Sequence, residues 1–447
     1  MLSALLVSLM LEGAAPAADP PRPATDQPSA VAEQAPVRLT LPTIAPGDNV
    51  AKALRFVWRD HPSLRAGRKL RLDFTAKIQG DARDPGDEPA DFPTWELHRM
   101  RFGLQGEVFR HIQFEIEREF KSSVSANPTK SPWRDVFVET DILSKAQVRV
   151  GKFKIPVGLD QLGGDTALEF VFRSLGGSYL APGRDVGVMV HGRFFKRGLN
   201  YWVGGFQRDG ENSRSSKMEG ADETFAARVT ARPFRKLKGV FGETEVGTSF
   251  ALSSVSDVSV LPNGLRGRTV LSEYTFFESV FVRGLRRRVG ADIDWSIGPF
   301  GAQAELLQVN DSRDGQGLGD QDLSDVRALS WYVTGSWVLT GEKKAGGVVP
   351  RKGLLMGGAG AVEVAARYDQ LKFDSRLGVD PPFRNSRAET ILPSGDRVWT
   401  VGLNWYVNRW GKIQINGIRE HATDPERSPT LDGSAFWSKI VRFQLEL

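Results

Sequence analysis

Long runs in which polar and apolar residues strictly alternate constrain this chain more than any other feature of its sequence. In LRLDFTAKIQ, from Leu70 to Gln79, apolar and polar residues alternate at every position. Such alternation places the apolar side chains on one face of a β-strand and the polar side chains on the other. Soluble strands usually have about five or six residues, whereas about nine to eleven cross a bilayer at a tilt. The run therefore has the length of a membrane-crossing strand.

The same pattern recurs along most of the chain. Further alternating runs are RMRFGLQGEV (99–108), HIQFEIE (111–117), TFAARVTAR (224–232), VGADIDWSIG (289–298), AVEVAARYD (361–369), VWTVGLNWYVN (398–408) and WSKIVRFQLEL (437–447). A soluble sandwich would bury the apolar faces against each other, whereas a membrane barrel turns them to lipid and encloses the polar faces. Strand length and the charges of both signs on the polar faces favour the barrel. So do tryptophans near strand ends, namely Trp331, Trp337, Trp399, Trp405, Trp410 and Trp437.

Composition excludes several other classes of protein. The 447 residues include no cysteine, so the chain has no disulfide and no thiolate metal site. The net charge of +5 is spread along the chain, whereas nucleic-acid binders concentrate basic residues on one face. The five histidines stand in no metal-binding spacing and beside no nucleophile motif. The sequence therefore predicts no enzyme, no metal site, no cofactor and no nucleic-acid partner. The basic run RGLRRR (283–288) is interpreted as a solvated strand end or an extracellular loop.

The first fifty residues differ from the rest of the chain. Leu2 to Leu11 form a short apolar core, and Ala15-Pro16-Ala17 resembles a small-residue cleavage site. Residues 1–18 are therefore predicted to be a signal peptide, although no basic segment precedes the apolar core. Residues 19–50 are rich in proline and alanine and are expected to form a disordered linker. The barrel domain is predicted to span 51–447.

Several stretches resemble phosphate-selective porins of the porin O and P type. Those similar to the N-terminal half of that family are LHRMRFGLQGEVFRHIQFEIE (97–117), VRVGKFKIPVGLDQL (148–162) and FRSLGGSYLAPGRDVGVMVHG (172–192). Those similar to its C-terminal half are WYVTGSWVLTGEKKA (331–345), GAVEVAARYDQL (360–371) and TVGLNWYVN (400–408). The resemblance implies an all-β fold, a 16-stranded antiparallel transmembrane β-barrel with an inward-folded constriction loop. It also implies a homotrimer in outer-membrane lipid, with a narrow basic pore.

The resemblance also selects candidate pore residues. Arg99 falls where the family places a pore-lining arginine, and Arg149 falls at a family lysine position beside the pore. Arg173 matches an arginine in the stretch that narrows the channel. The strand alternation places Arg101 on the polar face, which would line the lumen. These four are the pore-lining, anion-binding candidates, because the arginine fork is planar and always charged. The alternative is that each arginine is paired with a neighbouring carboxylate and only balances the charge of the wall.

The segment from Leu162 to Val190 separates two strand-like stretches. Such a segment cannot face lipid, because its backbone groups would be unpaired. It must fold into the lumen as a constriction loop or hang outside the membrane as a plain extracellular loop. DTALEFVFRSL (165–175) has apolar residues at near-helical spacing, which predicts a helical face on the inner wall that ends at Gly176 and Gly177.

Three residues are assigned to this constriction loop: Gln161, Arg173 and Arg184. Gln161 stands where phosphate channels of the family place a central lysine, and His98 stands where phosphate-selective members commonly have a second arginine. The sequence thus predicts an outer-membrane channel for passive diffusion of small hydrophilic solutes, with a preference for phosphate or another inorganic anion. A general non-selective porin and a soluble secreted β-sheet binding protein are the alternatives.

Overall fold

A computed structural model describes most of the chain beyond residue 53. The described residues are 54–58, 61–67, 70–87, 93–121, 131–143, 145–212, 221–237, 239–256, 261–375, 380–430 and 433–447. The signal peptide predicted at 1–18 and the linker predicted at 19–50 lie outside them and stay predictions. Within these ranges, no helix is long and apolar enough to cross a bilayer.

Strands make up nearly all of the regular structure. They are β1 (Leu54–Trp58), β2 (Pro62–Ala66), β3 (Leu70–Asp84), β4 (Trp95–Val108), β5 (Ile112–Glu119), β6 (Trp133–Leu143), β7 (Ala146–Lys154), β8 (Arg184–Phe194), β9 (Leu199–Phe206), β10 (Ala221–Ala231), β11 (Glu245–Val255), β12 (Gly267–Arg268), β13 (Thr275–Phe277), β14 (Gly284–Ile297), β15 (Phe300–Arg313), β16 (Leu323–Val338), β17 (Ala361–Ser375), β18 (Ser394–Tyr406), β19 (Gly411–Ala422) and β20 (Ala435–Glu446). The helices are α1 (Leu159–Leu162) and α2 (Leu175–Tyr179), with 3₁₀ turns at Leu318–Asp320, Leu354–Met356 and Pro425–Arg427.

Sixteen of these strands close into an antiparallel barrel. Each strand from β3 to β11 pairs with the next, β11 pairs with β14, and β14 to β20 continue in the same way. β20 returns to β3, with Lys439 opposite Asp84 and Glu446 opposite Lys77. β1 and β2 extend the beginning of β3 as a ribbon, and β12 and β13 form a separate pair. The 16-stranded barrel predicted from the sequence is confirmed.

Burial follows the alternation, but it is reversed relative to a soluble protein. On β20, Arg442 is 2% exposed while its neighbour Phe443 is 47% exposed. On β18, Asn404 is fully buried while Val401 is 60% exposed. A soluble protein buries large apolar side chains and leaves charged ones in water. Apolar groups outside and polar groups inside are the arrangement of a barrel in lipid, which excludes the soluble β-sheet alternative.

The two ends of the barrel differ in the length of their connections. One end has mostly short connections, such as 109–111, 195–198 and 298–299, with longer ones at 232–244 and 339–360. The other end has the longest connections, 155–183 and 256–283. In outer-membrane barrels the short turns face the periplasm and the long loops face outward. We call these ends the turn end and the loop end.

Aromatic side chains lie on the outer wall at two levels. Towards the loop end, Trp399 packs on Tyr368 of the neighbouring strand at 4.9 Å between ring centroids, and Trp437 is exposed on β20. Towards the turn end, Trp337 stacks on Phe300 at 5.9 Å. Outer-membrane barrels carry such rings where lipid meets water. Three of the tryptophans singled out in the sequence, Trp337, Trp399 and Trp437, therefore lie where a membrane boundary would need them, whereas Trp331 lies near the middle of β16.

The interpretation of RGLRRR as a solvated strand end or extracellular loop is wrong. Arg286 and Arg288 of β14 are buried inside the barrel, and Arg286 binds Asp311 and Asp209 at 2.7 Å each. Arg287 between them is exposed on the outer face. The alternation of inward-facing and outward-facing side chains therefore continues through the run. The sequence does not show this alternation, because the inward and outward positions are both occupied by arginine.

Val401 offers a direct test of the outward face, because it lies between the two aromatic levels on the same strand. We expect Val401→Arg to lower the free energy of unfolding by about 2–4 kcal/mol, since a charged group would be placed in the hydrocarbon core. The measurement is urea unfolding in phospholipid vesicles, followed by tryptophan fluorescence. Val401→Leu is the matched control and is expected to unfold like the wild type. Equal stability of the two variants would show that this face does not contact lipid.

Candidate functional site

The 155–183 connection between β7 and β8 enters the barrel and crosses the lumen. Carboxylates of the opposite wall hold its backbone. Glu305 of β15 accepts a hydrogen bond from the amide of Leu159 at 2.8 Å, and Asp369 of β17 accepts one from Leu175 at 2.6 Å. Buried amides need such partners, because an unpaired one is costly. The inward-folded constriction loop predicted from the sequence is confirmed, and the extracellular alternative is excluded.

Cationic side chains of the opposite wall hold the loop's carbonyl groups. The ammonium group of Lys412 on β19 donates to the carbonyls of Thr166 and Leu168, both at 2.9 Å. The guanidinium of Arg442 on β20 donates to the carbonyl of Val171 at 2.9 Å. Donors and acceptors from β15 to β20 therefore replace the partners that a regular secondary structure would supply.

The helix expected over 165–175 is absent, and the reason lies in these bonds. The peptide groups of that stretch bind the wall instead of each other, so turns and bends replace the helix between α1 and α2. Gly176 and Gly177 do not end a turn but lie buried inside α2. A Cβ at Gly176 would lie 2.6 Å from the hydroxyl oxygen of Ser330. Glycine is needed there because the loop backbone touches the wall.

A cavity of about 270 Å³ lies between this loop, the wall from β4 to β8 and the loop-end residues above it. We call it the arginine cavity. Its charged lining consists of Arg99, Arg101, Arg134, Arg173, Arg184, Arg266, Arg268 and Arg442, with the carboxylates Asp165, Glu211 and Glu273. The lining carries eight guanidinium groups and three carboxylates. Four further carboxylates that pair with these arginines lie outside this lining, namely Asp81, Glu117, Glu119 and Asp135. His98 also lines the cavity.

A larger cavity of about 1220 Å³ lies on the turn-end side of the loop. We call it the vestibule. Its lining carries ten lysine and arginine side chains and nine carboxylates, so its charges nearly cancel. Asp165 and Arg184 line both cavities, which places the boundary between them at the loop. The excess of cationic groups over carboxylates in the lining is therefore local to the arginine cavity.

Asp165 joins three arginines at the centre of this site. Its carboxylate accepts from Arg101 at 2.6 Å and from Arg173 at 2.5 Å, and Arg99 lies 3.6 Å away. Burial alone would raise the pKa of Asp165, but the charges of Arg99, Arg101 and Arg173 hold that pKa well below its usual range. Asp165 therefore stays ionised at physiological pH and ties the loop to β4.

The structure brings together most of the residues assigned from the sequence. Arg99, Arg101 and Arg173 meet at Asp165, and Gln161 of α1 lines the same cavity. Arg184 also lines it, although it is the first residue of β8 and not part of the loop. It binds Asp135 through two nitrogens, at 2.9 and 2.6 Å.

Arg149 lies apart from this group. It lines the vestibule, where it pairs with Glu139 at 2.5 Å and lies over the ring of Phe137 at 4.1 Å.

All of the predicted arginines are thus paired with carboxylates, as the charge-balance alternative expected. Ion pairing does not occupy every nitrogen atom of the basic side chains that line the arginine cavity, however. Nε of Arg99, Nε of Arg134 and Nδ1 of His98 are buried with no hydrogen-bond partner among the described residues.

The sequence analysis did not assign several residues of the site. Arg442 lies on the polar face of the last alternating run, so the alternation alone predicts that it faces the lumen. Asp165 lies within the segment singled out above, but only the loop's path shows that three arginines converge on it. Arg266 and Arg268 come from the long connection between β11 and β14, where no periodic signal exists. Within the described residues, no group of histidine and carboxylate side chains is arranged to hold a metal ion.

Comparison with known proteins gives one family, one curated relative and two solved structures. The family described as phosphate-selective porin O and P matches residues 65–446. Porin O of Pseudomonas aeruginosa is 26% identical over 270 residues, which cover 58% of this chain and 49% of that protein, so the chain spans about half the length of the curated relative it matches. OmpT of Vibrio cholerae in a trimer form superposes with a TM-score of 0.50 at 11% identity, covering 85% of this chain and 100% of that one. The outer membrane channel DcaP of Acinetobacter baumannii gives 0.51 at 11% identity, covering 85% and 97%. These two structures share the fold alone.

The close contact at Gly176 predicts how the loop is held. Gly176→Ala is expected to weaken the docking of the loop by about 1–3 kcal/mol, because the new methyl group overlaps Ser330. The measurement is hydrogen–deuterium exchange of the 165–180 segment, which should become faster. Gly164→Ala is the matched control, since a Cβ there meets only the Cβ of Ala167 at 3.7 Å. Identical exchange in the two variants would contradict the docking described here.

Proposed function

The chain belongs to the phosphate-selective porin O and P family of outer-membrane porins, and on that premise we propose that it is a passive channel for small hydrophilic solutes that prefers inorganic anions. The observation that carries this proposal is the arginine cavity. Eight guanidinium groups and three carboxylates line it, at the level where the loop crosses the lumen.

An ion channel needs a wet path, a constriction, and charges that replace part of the ion's hydration without trapping it. A narrow site with low-dielectric walls focuses the field of its charges and raises the local concentration of ions of opposite sign. The surface of the arginine cavity presents an excess of guanidinium groups, whereas cations and carboxylates line the vestibule in nearly equal number. We therefore place the selectivity of the channel at the arginine cavity.

Inorganic phosphate is the leading candidate among such anions. Guanidinium groups bind phosphate oxygens through planar, charge-assisted hydrogen bonds. Nε of Arg134 is a buried donor with no hydrogen-bond partner among the described residues, and Nε of Arg99 makes only an ion-pair contact with Glu119 at 3.8 Å. Asp165 supports passage as well as binding, because it competes with the incoming anion for Arg99, Arg101 and Arg173. A phosphate held between these groups can leave when the carboxylate recaptures its partners.

A general non-selective porin is the second candidate function. One observation favours it: each arginine proposed from the sequence already pairs with a carboxylate, which reduces the charge available to an ion. The two candidates differ in whether phosphate competes with chloride inside the pore.

We propose that the functional unit is a homotrimer in outer-membrane lipid. The barrel resembles OmpT, of which a trimer form is known. We also propose that the chain works without a cofactor, because diffusion through a charged constriction involves no catalytic step.

The proposal predicts that phosphate blocks chloride current through wild-type channels in planar bilayers. Arg99→Ala combined with Arg173→Ala should weaken this block at least about tenfold, because losing about 1.4 kcal/mol of binding free energy corresponds to a factor of ten. The measurement is chloride conductance at constant ionic strength during a phosphate titration.

Arg287→Ala is the matched control, since it removes an arginine from the outer face of the barrel. This variant should be blocked like the wild type. Unchanged block in the double variant would remove Arg99 and Arg173 from the constriction. No block in the wild type would favour the general porin.

A further inference from the structure

The turn end carries an exposed patch formed by two connections, one of which also contributes Arg232 and Glu243 to the vestibule. These are the 195–198 turn between β8 and β9 and the 232–244 connection between β10 and β11. The backbone amide of Arg232 donates to the carbonyl of Gly198 at 2.9 Å, which joins the two connections. We call this surface the turn-end patch.

Large apolar side chains project from the turn-end patch into solvent. Phe195 is 72% exposed, Phe241 62%, and Leu237 59%. Single exposed apolar residues are common on protein surfaces, whereas a contiguous group marks an interaction surface. The ring of Phe234, which is also exposed, lies 6.2 Å from that of Phe241, and the bond from Arg232 to Gly198 places this pair's connection next to the turn that carries Phe195.

Cations accompany the apolar side chains. Lys196 and Arg197 follow Phe195 directly, and Lys236 precedes Leu237. Within the part of the chain that the structure describes, none of these three cations forms an ion pair with a carboxylate. Their charges are thus available to a partner of opposite sign.

The backbone conformation of the 195–198 turn does not favour the residue types found there. Phe195, Lys196 and Arg197 have φ angles of 50°, 53° and 68°. Hairpin turns of this kind favour glycine or asparagine, because larger residues are strained in the left-handed region. The turn between β4 and β5 repeats the pattern, with Phe109 at 55° and Arg110 at 71°. An aromatic residue followed by a cation thus occupies strained positions twice.

The turn-end patch adjoins the lipid-facing wall of the barrel, and this position indicates which partner covers it. Phe195 adjoins Phe194, whose ring stacks on that of Tyr201 at 5.7 Å. Val190 and Val203, further up the same two strands, belong to the lipid-facing wall and are 37% and 40% exposed. The turn-end patch therefore continues the lipid-facing surface to the level of the periplasmic headgroups.

We propose that the turn-end patch binds anionic phospholipid of the periplasmic leaflet. The apolar side chains enter the boundary of the acyl chains, and Lys196, Arg197 and Lys236 bind the headgroup phosphates. Apolar groups beside lysine and arginine are the composition of interfacial membrane anchors. Each cation near an anionic membrane surface adds attraction to it. This site is separate from the arginine cavity, and its failure would leave the proposed channel function untouched.

The test compares lipid binding by wild-type protein and by the Lys196→Gln, Arg197→Gln double variant. Both are titrated with phosphatidylglycerol in neutral detergent micelles, and bound lipid is counted by native mass spectrometry. The double variant should bind phosphatidylglycerol about twenty-five-fold more weakly, at roughly five-fold for each cation removed. Arg327→Gln combined with Lys439→Gln is the matched control, because it removes two outward cations near the loop end. This control should bind like the wild type.

Two further measurements separate the alternatives. Inorganic phosphate at millimolar concentration should not displace the bound lipid, and phosphatidylcholine should bind weakly to all variants. The proposal is overturned if phosphatidylcholine binds as well as phosphatidylglycerol, if the double variant keeps wild-type affinity, or if inorganic phosphate displaces the lipid. It is also overturned if the double variant binds lipid normally but loses its oligomeric state, which would make the turn-end patch a subunit contact. Thermal unfolding in neutral micelles verifies that each variant is folded.

Discussion

Inside the barrel, polar side chains of β15 to β20 hydrogen-bond to backbone groups of the 155–183 loop, and the shape of the pore depends on these bonds. A loop without regular structure leaves its peptide groups unpaired, and each buried unpaired group costs about 1–3 kcal/mol. Glu305, Asp369, Lys412 and Arg442 provide the missing partners. Because these partners all belong to one side of the barrel, the loop is drawn to that side. The space that remains is the arginine cavity beside β4 to β8.

The electrostatics of the arginine cavity follow from the same geometry. Guanidinium groups that converge in a confined space repel each other, and burial removes the water that would screen them. Asp165 compensates three of them and also fixes the loop to β4. Glu211 and Glu273 also line the cavity, and carboxylates outside the lining pair with Arg101, Arg184 and Arg442. Asp165 thus lowers the cost of gathering arginines, while the surface of the cavity still presents more guanidinium groups than carboxylates.

Alternation explains how much the sequence could predict. A period of two depends on neighbouring residues alone, so the strands, their lumen faces and residues such as Arg99 and Arg101 follow from it. The path of the loop depends on contacts between residues far apart in the chain, such as Lys412 with Thr166. Local patterns do not contain these contacts, which is why an apolar spacing near 3.6 suggested a helix over 165–175. For the same reason, the resemblance placed Arg149 beside the pore but did not show that it lies in the vestibule, apart from Asp165.

We propose that charge at one narrow level, and not the charge of the whole protein, makes this channel prefer anions. The decisive measurement is the reversal potential of the purified wild-type protein in a planar bilayer across a potassium chloride gradient. A potential whose sign shows chloride crossing more readily than potassium is the result expected from the arginine cavity. A potential of the opposite sign, or one close to zero, would contradict the account, because the carboxylates would then offset the arginines along the whole path.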